Sequence, residues 1–240
     1  METTLVEAVA ISVTSIRGCN MTWQERAITQ VSRVLSAETD VLIEQIRVAA
    51  RLKGSESTFR RIAQAHDAEQ MLDYFAEIRF GMMFAQLHFE TEFEPFGVKG
   101  PDLSISRDGR SAYVEVKRFR SGGPAIEEIR DELTPYGNPP KDIKKVFDQI
   151  FGKFSQLNCG NGIVALWSDR DDLEELEFEF AMKDIRRDAG NGIREVPGAL
   201  LFCVFGSGWF NPRCGQRIYI ESFQQLSEPF STWAEDLKRL

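Results

Sequence analysis

The sequence predicts an α/β protein in which a helical front packs onto a mixed sheet, and three observations predict it. All nine prolines fall from Pro95 onward, so the front third is free to be helical while the remainder reads as strands and loops. Apolar residues recur at helical spacing through the front third, whereas the runs 101–107 and 111–118 alternate. Between those runs stands Asp108-Gly109, a dipeptide favoured in two-residue hairpin turns. A chain of 240 residues can bury a sizeable core as one large domain or two small ones. The expected division is an N-terminal helical region, 1–70, packed on a core domain, 71–240.

The helices announce themselves in order. Thr22-Trp-Gln-Glu25 is a capping box, followed by Ile28, Val31, Val34 and Leu35 at helical spacing. A second helix runs from about Thr39, with Leu42, Ile43, Ile46 and Ala49 on one face and Gly54 as its C′ residue. Ser57 starts a third, and Asp67-Ala-Glu-Gln70 offers a further cap. The helix over 71–88 is apolar nearly all round, which predicts that it is buried. Glu77 within it is therefore a carboxylate in need of a partner, either an arginine or a metal ion held through water.

The strands follow. The first is expected over 89–96, and the hairpin over 101–118 comes next. The segment after it, FRSGGPAIEEIRDELTPYGNPP, is rich in Gly and Pro and lacks a clear period; 121–124 and 136–140 read as a flap near the site. An amphipathic helix over 141–157 buries Ile143, Val146, Phe147, Ile150, Phe154 and Leu157, and sets Lys145, Gln149, Lys153 and Gln156 on another face. That second face is either plainly solvated or a row of donors to a phosphate backbone.

The strand expected over 162–169 reaches its place by a crossover, so it should run parallel to the second hairpin strand. The acidic stretch 171–180 predicts a solvated helix to about 187. A buried strand over 199–205 and a short edge strand over 217–221 flank a glycine-rich turn. In that turn Trp209 and Phe210 either pack over the sheet end or stack on a base. STWAEDLKRL closes the chain as a short helix.

Composition narrows the function classes. Hydrophobic content of 42% and charged content of 28% are ordinary for a soluble globular protein. A net charge of −8 excludes a protein that is basic all over, so any contact with nucleic acid comes from a local patch. The four cysteines, Cys19, Cys159, Cys203 and Cys214, form no CxxC pair, and His66 and His88 are the only histidines. Reduced thiols in a cytoplasmic protein are expected rather than a zinc site. The N-terminus METTLVEAVAISV is too short and too acidic for a signal sequence, and no run approaches the roughly 18 apolar residues of a membrane span.

The chemistry concentrates in the hairpin. Along 111–118, Val114 and Val116 share one face while Tyr113, Glu115 and Lys117 share the other. In the partner run Leu103 and Ile105 point one way, Asp102 and Ser104 the other. Joining the polar faces brings Asp102 towards Glu115 and Lys117. Two carboxylates at about 4 Å repel by roughly 4 kcal/mol at an effective dielectric near 20, so a cation is needed between them. Hard oxygen donors with room for water and phosphate suit Mg²⁺ or Mn²⁺. An ammonium beside that ion can orient an attacking water and stabilise charge on phosphorus oxygens. The plainer reading is a solvated cross-strand charge pair.

Pro101-Asp102 followed by Glu115-Val116-Lys117, with Glu77 on the helix before the first strand, resembles the signature of the PD-(D/E)XK nucleases, the restriction-endonuclease-like superfamily. The resemblance covers roughly 71–169. It implies a restriction-endonuclease-like mixed sheet with an αβββαβ core flanked by helices, extended here by the N-terminal helices. It further implies Asp102 and Glu115 as direct ligands of Mg²⁺ or Mn²⁺, the Val116 carbonyl beside them, Glu77 acting through water, and Lys117 activating the attacking water. Because the helix after the lysine strand borders the site in such nucleases, Gln149, Lys153 and Gln156 become candidates for substrate contact. The expected function is a DNA-cleaving phosphodiesterase, endonuclease or exonuclease, acting alone, as a homodimer or with a protein partner. The alternative is a non-catalytic module of the same fold that binds nucleic acid or protein within a larger complex.

Overall fold

The computed structural model describes residues 21–35, 39–97, 99–120, 141–157, 161–168, 175–193, 198–205, 217–222 and 230–239. The segment read as a flap, the aromatic pair Trp209 and Phe210, and Cys19, Cys159 and Cys214 lie outside them. In the front third, α1 (Trp23–Val34), α2 (Thr39–Ala49), α3 (Ser55–Ala63) and α4 (Ala68–Gln86) follow one another. The Thr22 capping box is formed in full at the start of α1. Asp67 caps α4, its Oδ1 accepting from Gln70 N at 2.7 Å.

Gly54 departs from expectation. It stands at the N-cap of α3 rather than closing α2, in the left-handed region at φ 75°. A Cβ there would lie 2.3 Å from the Phe93 carbonyl oxygen, because the turn before α3 presses on the first strand. Phe93 N donates to Lys53 O at 2.9 Å across the same junction. Only a residue without a side chain fits both the dihedral and the approach.

The sheet is built from β1 (Glu90–Phe93), β2 (Leu103–Arg107), β3 (Arg110–Phe119), β4 (Asn161–Ser168), β5 (Gly198–Phe205) and β6 (Arg217–Ser222), side by side in that order. The pairings β1–β2 and β2–β3 are antiparallel, β3–β4 and β4–β5 parallel, and β5–β6 antiparallel. The hairpin turns at Asp108-Gly109 with φ of 56° and 73°, the double left-handed geometry for which Asp-Gly is chosen. β1 is shorter than its sequence signal, since Glu94 enters the left-handed region at φ 44° and leads the chain into a turn. The parallel β3–β4 pair follows from the crossover through α5 (Lys141–Gln156), as the spacing requires.

Alternation on the strands separates two apolar layers. Val114, Val116, Ile163, Ala165, Trp167, Leu200, Phe202 and Val204 join buried residues of α1 to α4 and of α7 (Phe230–Leu237). On the opposite face Phe119, Val164, Leu166, Leu201, Cys203 and Phe205 pack with α5 and with α6 (Glu175–Gly190). The architecture is therefore α/β with a six-stranded mixed sheet between helical layers. Two expectations change. α6 is amphipathic rather than solvated, burying Phe178, Ala181, Met182 and Ile185, because its acidic residues fall between the apolar positions of the helical period. On the Glu115 face of β3, for which a solvated pair is one reading, Glu115 and Phe119 are buried while Tyr113 and Lys117 are half-buried. No helix among the described residues is long and apolar enough to cross a membrane.

Candidate functional site

Asp102 lies just before β2, one step past the last register pair, Leu103 with Val114. That step sets it opposite Glu115. A turn from Glu94 to Asp102 fixes the approach, with Glu94 N donating to Asp102 O at 2.9 Å. The Asp102 Oδ2 accepts from Val116 N at 2.7 Å, so a backbone donor of the central strand aims the carboxylate. Where the resemblance offers the Val116 carbonyl, the hydrogen bond formed by Val116 to the acid pair is through its N–H.

Lys153 closes the arrangement from α5. Its Nζ lies 2.8 Å from Glu115 Oε2 and 3.5 Å from Asp102 Oδ2. Two oxygens that both reach one ammonium are well inside the roughly 8 Å over which carboxylates share a hydrated ion. Glu115 is 4% exposed, which removes the reading of a solvated cross-strand pair. Burial and then the charge of Asp102 push its carboxyl up to about 7, against the opposing pull of Lys153. Lys153 itself loses some basicity to burial, yet Asp102 and Glu115 hold it above its ordinary value.

Glu77 reaches the same neighbourhood from the buried face of α4. Burial first, and the charge of Asp102 second, push its carboxyl up to about 8. Its two oxygens sit in the fork of Arg61, with Nη1 donating to Oε1 at 3.1 Å and Nη2 to Oε2. Arg61 Nε also lies 2.9 Å from Glu94 Oε1, and the guanidinium stacks over the Tyr74 ring at 4.7 Å. Of the two partners open to Glu77 at the sequence level, the structure shows an arginine.

Lys117 shares its face of β3 with Glu115 and is half-buried. Among the described residues it has no ion-pair partner. Burial lowers its pKa, Asp73 resists that change, and the positive charges of Lys153 and Arg120 add to it. Gln149 is half-buried and Gln156 exposed on α5, and neither bonds the acids among the described residues. Of the three α5 candidates, the structure brings Lys153 alone into the cluster.

Arg61 and Glu94 are the site residues that the sequence did not single out. Their signal was indirect: a carboxylate on a buried helix requires a cation, and Glu94 precedes the turn that delivers Asp102. Among the described residues, no three carboxyl, imidazole or thiol groups are grouped to hold a metal ion. The acids are instead shared between Lys153 and Arg61, cations of the chain itself. A cleft of about 480 Å³ lies elsewhere, between α2 and α4, walled by Val41, Val48, Met82, Met83 and Trp167 and by none of the acid cluster. Comparison with family models, with curated proteins and with solved structures found no match to this chain.

Proposed function

We propose that this protein is a Mg²⁺- or Mn²⁺-dependent phosphodiesterase that cleaves DNA, built on the restriction-endonuclease-like fold of the PD-(D/E)XK nucleases. The observation that carries the reading is the convergence of Asp102 and Glu115 on one cation, with Lys117 on the same strand face. The order α4, β1, β2, β3, α5, β4, with two antiparallel pairings and then a parallel one, supports the fold assignment.

The residues fit a hard divalent ion on chemical grounds. Asp102 and Glu115 offer carboxylate oxygens, and the Lys153 ammonium stands in for a cation between them. Asp102, Glu115 and the Val116 carbonyl would hold the ion, with Glu77 one water further out. A bound ion supplies charge neutralisation and a more acidic water. Lys117, its pKa lowered by burial and without an ion pair among the described residues, would orient an attacking water and stabilise charge gathering on the phosphate. Lys153 borders the same pair and is the α5 candidate for a contact to the DNA backbone.

A second reading has its own observation. Glu77 and Glu115 already have cationic partners of the chain itself in Arg61 and Lys153, which favours a non-catalytic module of the same fold that binds nucleic acid or protein within a larger complex. One experiment separates the two: supercoiled, linear, branched and single-stranded DNA are incubated with the protein and Mg²⁺ or Mn²⁺. The nuclease reading expects cleavage that falls by at least about 100-fold in Lys117→Ala and in Asp102→Ala. Retention of DNA without cleavage selects the binding module. Cleavage equal in the wild type and both variants would mean that the chemistry resides elsewhere.

A further inference from the structure

Lys153 is placed where a cation is needed. Its ammonium is held by one oxygen of Glu115 and approached by one oxygen of Asp102, the two carboxylates assigned above to the divalent ion. Lys153 stems from α5, whose apolar residues Ile143, Val146 and Ile150 are buried against the sheet, so the lysine backbone stays in place while its four-carbon stem can swing. An ammonium and a divalent ion cannot both lie between the same oxygens.

We propose that Lys153 is an internal occupant of the metal position, which the incoming ion must displace and which then becomes free to pair with a backbone phosphate. The inference rests on the metal-dependent reading of the site. It assigns Lys153 a role distinct from that of Lys117: one lysine guards the acid pair until metal arrives, the other serves the attacking water. Metal loading and phosphate binding are thereby coupled, since each favours the same swing of one side chain.

Calorimetric titration of Mn²⁺ into the metal-free full chain tests this without any substrate. Lys153→Met and Lys153→Gln are compared with the wild type and with Lys145→Met, which removes an exposed charge from the same helix. Circular dichroism and melting in EDTA identify any variant that fails to fold. The expected result is a Kd for Mn²⁺ at least about tenfold lower in both Lys153 variants, with Lys145→Met matching the wild type. Heat in the Lys153 variants with none in the wild type is the same result in stronger form. An affinity equal to or weaker than wild type in folded Lys153 variants overturns the guard role and leaves the metal reading standing. Absence of heat in every protein overturns both.

Discussion

Arg61 shows how much a single side chain holds at this site. It reaches from the helical front to pair with Glu77 and Glu94, two carboxylates whose side chains are 9% and 8% exposed. Removing one partner of a buried ion pair costs about 3–5 kcal/mol where the other is left charged and unsolvated, and Glu77 is in that form above about pH 8. Arg61→Met is expected to lower the unfolding free energy by that order in urea titration at about pH 9, where Glu77 is ionised. A loss below about 1 kcal/mol would place the pair in the class of exposed salt bridges instead. Cys203, by contrast, is fully buried with its thiol pushed well up, which makes it packing material with little nucleophilic character.

At the scale of elements, the site depends on three junctions. The Asp108-Gly109 turn sets the β2–β3 register, and that register decides that Asp102 faces Glu115. The Glu94 turn delivers Asp102 to its place. Gly54 lets α3 approach β1 closely enough for Arg61 to reach Glu77 and Glu94. Gly54→Ala combines a left-handed dihedral with a contact of 2.3 Å to backbone. It is therefore expected to cost more than removing the Asp67 helix cap, for which about 1 kcal/mol is usual. Chemical denaturation of the two single variants checks the order. If Gly54→Ala proves the milder, the junction is looser than its geometry indicates.

For the whole molecule, the buried acids set how stability responds to pH. Glu77 holds its proton to about 8 in the folded chain against an ordinary 4.5, and Glu115 to about 7. Between about pH 4.5 and those values the folded state binds more protons than the unfolded one, so stability falls as pH rises through that window. The melting temperature is expected to drop from about pH 5 to about pH 8 in metal-free buffer, and to drop less steeply in Glu77→Gln. Equal slopes in the two proteins would show that Glu77 ionises freely.

Pattern alone determined the α/β class, the helical front, the hairpin, the parallel return to β4 and the polar face shared by Glu115 and Lys117. Each of these follows from local periodicity and turn chemistry, which act over a few residues and survive without knowledge of neighbours. It also singled out Glu77 as a buried acid in need of a partner. Tertiary structure decided which partner: Arg61 for Glu77, Lys153 for Asp102 and Glu115, and Glu94 as an unforeseen fourth acid. Charge pairing depends on distances across elements far apart in the chain, and a residue's place on its own helix or strand does not contain them. The same reason turned α6 from a solvated helix into a packed one, because its apolar positions acquire meaning only once β4 and β5 lie beneath them.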